Sequence, residues 1–201
     1  SMAVIVTPVG SDETGDGSEC RPFATIQQAL NEANENDPIH VAAGTYTENI
    51  LWPATNGIKL IGENRETTII DGNQSGSVIR FEEDLDGIIN NSTELKSFTI
   101  QNGLLGGTWE QDEPIFYGGG IYFNYSSPSL ENVTISGNSA TGGYGKGGGI
   151  YFNYSNPSLN NVHIIDNLAN YTGGGIFCNY SSPELTNSSI INNTSTNGTA
   201  G

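Results

Sequence analysis

The sequence predicts an all-β chain of stacked parallel coils, a single-stranded solenoid opened by one amphipathic helix. Three observations predict it. First, the block Gly118 to Asn138 (GGGIYFNYSSPSLENVTISGN) recurs from Gly147 to Asn167 and from Gly173 to Asn193, with Ile121, Ile150 and Ile176 matched at steps of 29 and 26 residues. Self-similarity at a period of about 20 to 50 residues marks a stacked repeat. Second, the chain after Pro38 is built of short β-branched runs between Gly, Asn and Asp turns, which read as strands. Third, a single stretch near the start has a helical period.

That stretch begins at Thr25. Thr25 and Gln28 have capping-box spacing, in which each side chain satisfies a free N–H at the helix start. Ile26, Leu30 and Ala33 fall on one face, and Asn36-Asp37-Pro38 ends the helix. Such a helix is suited to cap the open end of a stack. Before it stand an apolar strand, Ala3 to Val9, and an acidic, Gly-rich loop, Gly10 to Glu19. After it the expected strands are Ile39 to Val41, Ala43 to Tyr46, Ile58 to Ile61, Thr68 to Ile70, Val78 to Phe81, Gly87 to Ile89 and Ser97 to Ile100. The chain is read as one domain, 1–201. Residues 1–38 form the strand, loop and helix, 39–117 irregular coils and 118–201 the regular repeats.

Two sequence stretches carry a family resemblance. Arg21-Pro22-Phe23-Ala24-Thr25-Ile26-Gln27-Gln28-Ala29-Leu30, followed by Ile39 to Asn49 (IHVAAGTYTEN), resembles the opening of pectate-lyase-like, right-handed parallel β-helix proteins. The Gly-Gly-Gly-Ile and Asn-x-x-Ile-x-x-Asn repeats are similar to β-helical repeats of bacterial secreted and surface proteins, including polymorphic outer-membrane adhesins. The resemblance implies a right-handed parallel β-helix in a secreted or cell-surface bacterial protein, and Ser1-Met2 reads as a cloning scar, so a leader is expected to have been removed. It does not select a function, because lyases, hydrolases, epimerases, phage spikes and adhesins share the fold.

Strand residues alternate faces. Ile121 and Phe123 are expected inward, with Ile150 and Ile176 stacked on Ile121 and Leu159 and Leu185 on Leu130. Cys178 stands at the Phe123 and Phe152 position, so it is read as a buried thiol acting as a small hydrophobe. It is not expected to pair with Cys20, at the far end of the chain. Asn132, Asn161 and Asn187 are expected to form an internal amide ladder at a bend. Tyr122, Tyr151 and Phe177 form an outward aromatic column, and Tyr125, Tyr154 and Tyr180 a second one.

Six Lys plus Arg against 22 Asp plus Glu give a net charge of −16. So few cations exclude nucleic-acid binding by counterion release. No run of 18 apolar residues is present, so no membrane insertion by a helix is expected. An acidic polysaccharide would need a bridging cation. Ca²⁺ is such a candidate, with Asp12, Glu13, Asp16 and Glu19 as oxygen donors on a glycine-rich loop.

The copies differ in the segment before each Gly triplet, which shortens from Leu104–Tyr117 to Ser139–Lys146 to Leu168–Thr172. These loops should emerge along one edge, where a rigid scaffold tends to carry function. They hold Trp109, Glu110, Asp112, Tyr117, Tyr144, Lys146 and Tyr171, the residue types that stack on sugar C–H faces and accept hydroxyl hydrogen bonds. The expected function is carbohydrate-associated binding or adhesion without catalysis. The alternatives are a polysaccharide lyase or glycoside hydrolase using Lys146, Glu110 and Asp112, or a structural stalk. The polar Asn193 to Gly201 cannot cover the last coil, so the chain is read as a fragment of a longer array or as self-associating end to end.

Overall fold

The computed structural model describes residues 2–106 and 117–198. Its strands pair in parallel in three sheets, and successive coils of a parallel β-helix lie over one another. One sheet takes Ile50–Leu51, Ile79–Glu82, Ile121–Asn124, Ile150–Asn153 and Ile176–Asn179. The largest sheet includes Ser129–Ser136 and Ser158–Ile165. A short third sheet pairs Leu104–Leu105, Ser139–Ala140, Leu168–Ala169 and Thr194–Ser195. The register is the one the repeat demands: Ile121 pairs Ile150, and Ile150 pairs Ile176.

Left-handed positions recur in each coil, and two of them are set by Gly and Asn. The first Gly of the triplet has φ of 69°, 67° and 66° at Gly118, Gly147 and Gly173, a conformation that costs glycine little. The long strand bends at Asn132 (φ 55°) and Asn161 (φ 54°). One coil earlier the same bend, at Ser97 (φ 61°), divides Glu94–Lys96 from Thr99–Gln101. Asn tolerates this region because its short amide bonds locally.

The core is a set of columns. Phe81, Phe123 and Phe152 are fully buried beside Trp52. Their rings stack at 4.7, 4.8 and 5.3 Å from Trp52 down to Phe152. Each buried ring contributes about 1.5–3 kcal/mol by leaving water and about 0.5–1.5 kcal/mol more by stacking. The helix, Ile26–Glu32, lays Ile26, Ala29 and Leu30 into the same core as Val6, Ile39 and Ile50, with Ala33 partly buried against it.

Several expectations are corrected. Gly87–Ile89 is a loop, pinned where the Ile89 N–H donates to the Glu83 carboxylate at 2.9 Å. The opening strand is only Val4–Val6, and Val9 is exposed. Strands at Ile50–Leu51 and Glu94–Lys96 were not expected. The capping box is half formed: Thr25 Oγ1 accepts the Gln28 N–H at 3.2 Å, but the Gln28 amide donates to Glu32, and Asp12 takes the Thr25 N–H at 3.0 Å.

The internal amide ladder is also a different one. Asn132 and Asn161 do bond each other at 3.0 Å at the expected bend, but they are only half-buried, and Asn187 reaches Asn160 instead. The buried ladder is Asn138 and Asn167, continued by Asn193. Cys178 keeps the Phe column position, paired with Phe152, but lies on the outermost coil and is exposed.

Candidate functional site

The described ends of the three shrinking segments lie side by side. Lys146 bridges in parallel to Tyr117 on one side and to Thr172 on the other, so the ends of all three segments adjoin. Trp109, Glu110 and Asp112 lie outside the described residues. Tyr117, Tyr144, Lys146 and Tyr171 are brought together.

Their surroundings divide them into two groups. The Tyr117 ring lies 4.1 Å from Tyr151, which stacks in turn on Phe177 at 5.2 Å and meets Tyr122 at 5.8 Å. Tyr151 is 3% exposed. Burial, with Tyr117 beside it, holds its phenol far above the ordinary value, and burial raises Tyr122 as well. This column stabilises the sheet by cross-strand pairing and offers no open ring face at Tyr151.

The second group faces water. Tyr144 and Tyr171 are 50% and 40% exposed and meet edge to face at 5.2 Å. Lys146 Nζ sits 4.9 Å from the Phe177 ring centroid and 5.9 Å from that of Tyr171. Cation–π contact at such an exposed site is worth about 0.5–1 kcal/mol, which fixes the ammonium over the rings without neutralising it. The edge thus offers two phenols at right angles and a positioned cation on a rigid stack. Sequence reasoning found these residues through loop length. It did not anticipate that Phe177 seats Lys146.

The acidic loop does different work from that expected. Asp12 accepts the Ala24 N–H at 2.8 Å, the Thr25 N–H at 3.0 Å and the Thr25 hydroxyl at 2.6 Å. Burial raises its pKa, but the Thr25 and Ala24 donors outweigh that and leave it below 3.8. Asp16 pairs with the Arg21 guanidinium and accepts the Ser18 N–H. Glu13 and Glu19 are exposed. Among the described residues no three His, Cys, Asp or Glu side chains gather to hold a metal ion. The loop's Asp residues therefore tie backbone, and the four-carboxylate Ca²⁺ site does not assemble.

Fold and edge together define a parallel β-helix protein. More particularly, the chain belongs to the DUF1565 family, described as a protein of unknown function, whose family model matches residues 9–201. By sequence, no curated protein matches it. Among solved structures it is similar to pectin methylesterase PemA from Erwinia chrysanthemi, with a TM-score of 0.53, 16% identity and 94% of this chain covered. A pectin methylesterase in complex with hexasaccharide VII gives a TM-score of 0.51 at 17% identity, again over 94% of this chain. The chain spans 65% of the length of each. At such identities the likeness is one of fold. It supports the β-helix resemblance without singling out its pectate-lyase-like branch. Among the described residues no helix is long and apolar enough to cross a membrane.

Proposed function

We propose that this chain is a right-handed, pectate-lyase-like solenoid, capped at its first coil by the Ile26–Glu32 helix, that binds polysaccharide outside the cell without cleaving it. The handedness follows the rule for parallel crossovers. The observation that carries the function is the exposed pair Tyr144 and Tyr171 meeting edge to face beside Lys146. Rings of this kind stack on sugar C–H surfaces, and phenol hydroxyls and an ammonium supply orientation. Trp109, Glu110, Asp112 and Tyr117 belong to the same edge by sequence. The pectin methylesterase neighbours, one of them solved with a hexasaccharide, support a carbohydrate partner.

The test is a polysaccharide panel, screened by affinity electrophoresis with and without Ca²⁺. Binding to at least one polymer, weakened about tenfold or more in the double variant Tyr144→Ala, Tyr171→Ala, supports the reading. Failure to retard on any polymer sinks it. The same neighbours favour a second reading, an enzyme acting on polysaccharide with Lys146, Glu110 or Asp112 as catalytic groups. Release of unsaturated ends, reducing ends or methanol, abolished by Lys146→Ala or Glu110→Gln, would select it.

The outermost coil is a further contact surface in this proposal. Leu185, Ile190 and Ile191 are exposed along it, and an open strand edge is a template for pairing. Association with a second copy should then grow with concentration. Light scattering that stays monomeric over a hundredfold range (about 3 kcal/mol of association) would contradict it.

A further inference from the structure

A second concave surface lies on the outer face of the largest sheet, away from the loop edge. It is a groove of about 320 Å³ lined by Asn36, Lys59, Asn91, Ser92, Glu94 and Ser129. Every lining side chain is polar. In the regular repeats several Asn side chains are taken up by ladders that run from coil to coil, as at Asn124–Asn153–Asn179. Here the Lys59 ammonium, the Asn91 amide and the Ser92 hydroxyl carry no hydrogen bond to the protein among the described residues.

The turns beside the groove are tied by a network around Thr93. Thr93 is fully buried, accepts the Gly57 N–H at 2.8 Å and donates to Asn56 Oδ1 at 3.0 Å. Asn56 also accepts the Asn90 N–H at 3.0 Å, and Asn90 holds the Ser92 N–H at 2.9 Å. Asn36 lies against Gly57, which sits at φ 79° and has no room for a Cβ beside the Asn36 amide. The backbone beside the groove is thereby tied down, while the Asn36, Lys59, Asn91 and Ser92 side chains stand exposed to solvent.

Its charges are also arranged. Lys59 and Glu94 are cross-strand partners, yet they form no ion pair. Glu94 instead lies 4.0 Å from Lys96, which is bonded to Glu131 at 2.9 Å. Arg21, Arg65, Arg80 and Lys96 each have a carboxylate within ion-pair distance. Lys59 has none among the described residues, in a chain of net charge −16.

We propose that this groove is a saccharide-binding site, separate from the Tyr144 edge, for one sugar unit carrying an acidic group, with Lys59 in place of the bridging cation that an acidic sugar would otherwise need at a net charge of −16. Lys59 takes the carboxylate. The Asn36 and Asn91 amides and the Ser92 hydroxyl take ring hydroxyls, and Glu94 accepts a further hydroxyl. An amino sugar is disfavoured, because Glu94 already has Lys96 as its cation. The proposal does not depend on the function assigned to the loop edge.

The test is an amide NMR titration of the whole chain with glucuronate, glucose and glucosamine, each to about 50 mM, a range suited to the millimolar affinity of a single sugar. Glucuronate should shift the Asn91, Ser92 and Glu94 resonances saturably, more than the other two sugars. Lys59→Gln, with an otherwise superimposable spectrum, should weaken this about tenfold, the loss expected for one charge-assisted hydrogen bond. The shifts should persist in Tyr144→Ala, Tyr171→Ala, which separates this site from the edge. No shift at these residues, equal response to glucose, or unchanged affinity in Lys59→Gln each overturns the proposal.

Discussion

The side-chain amide of Asn138 donates to Asn167 Oδ1 at 3.0 Å, and the same oxygen takes the Asn138 backbone N–H at 3.0 Å. Asn167 in turn donates to the Ile135 carbonyl at 2.9 Å. Both residues are all but fully buried, so water cannot replace these partners. Asn167→Ala orphans two donors and one acceptor at once. A buried polar group left unmade costs about 1–3 kcal/mol, so the variant should lose roughly 3 kcal/mol or more in urea unfolding. Asn161→Gly, which keeps the left-handed bend and removes only the half-buried amide, should lose about 1 kcal/mol. Equal losses at the two sites would contradict the assignment of the internal ladder.

The helix start depends on Asp12 more than on the capping box. Glu48 adds a second carboxylate, accepting the Ile26 and Gln27 N–H groups at 2.8 and 2.9 Å. Asp12→Ala strips the Ala24 and Thr25 donors and should cost about 2–3 kcal/mol. Gln28→Ala removes only a contact to Glu32 and should stay within about 0.5 kcal/mol. The pH dependence has a definite sign. Asp12 is held below 3.8, so its contribution is present above that value and lost as pH falls through the lower folded pKa. Glu48, raised chiefly by burial against those two N–H bonds, acts in the opposite sense just above its ordinary value of 4.5. Acid titration of the Asp12→Ala variant should therefore be flatter below pH 3.8 than that of the parent. Parallel curves would refute the role given to Asp12.

These corrections show where sequence is legible. Apolar columns such as Ile121, Ile150 and Ile176 reveal register, because a one-residue slip would turn the whole set to water. Asn132 and Asn138 recur equally well, and recurrence alone cannot say which is inside. The left-handed bend at Asn132 takes that residue out of the inward set, while Val133, Ile135 and Asn138 remain in it. Glu94-Leu95-Lys96 lacks a strand's composition, with only Leu95 facing inward, and its neighbours above and below make it one. Asp12 resembled a metal ligand because a sequence does not show which N–H groups a carboxylate will meet. Cys178 sits in the apolar column by sequence, but only the three-dimensional stack reveals that no described coil covers it. At the candidate edge, loop length pointed to Tyr144, Lys146 and Tyr171. Nothing in the sequence pointed to the Lys59 groove, whose lining comes from separate coils.

Tyr125, Tyr154 and Tyr180 present a test of strain against stacking. All three have left-handed backbone, with φ of 49°, 46° and 48°. Their rings stack at 4.9 and 4.8 Å, nearly parallel. Tyr154 takes part in both stacks, worth about 0.5–1.5 kcal/mol each, against a left-handed cost of about 1–2 kcal/mol. Tyr154→Ala loses the stacks and keeps the strain. Tyr154→Gly loses the stacks and relieves it. The glycine variant should therefore be more stable than the alanine variant by about 1 kcal/mol, with both at or below the parent. Alanine above glycine in chemical denaturation would show that the backbone strain is not what sets the balance.

The tyrosines also predict the alkaline behaviour of the fold. Tyr46 is almost fully buried and its hydroxyl donates to the Ala42 carbonyl at 2.9 Å. Burial, with Glu48 and Glu63 nearby, pushes its phenol up from 10.0 to about 12. Burial beside Tyr117 raises Tyr151 further still. A phenol with a raised folded pKa keeps its proton longer in the folded chain than in the unfolded one. Its contribution is thus intact below pH 10 and lost as pH climbs towards 12. Of the nine tyrosines, Tyr46 and Tyr151 should ionise in the late phase of a titration followed by phenolate absorbance. Tyr46→Phe should remove one phenol from that phase and lessen the fall in stability between pH 10 and 12. Ionisation of Tyr46 in the early phase, with the far-ultraviolet circular dichroism unchanged, would mean that the ring is not shielded as its place in the core requires.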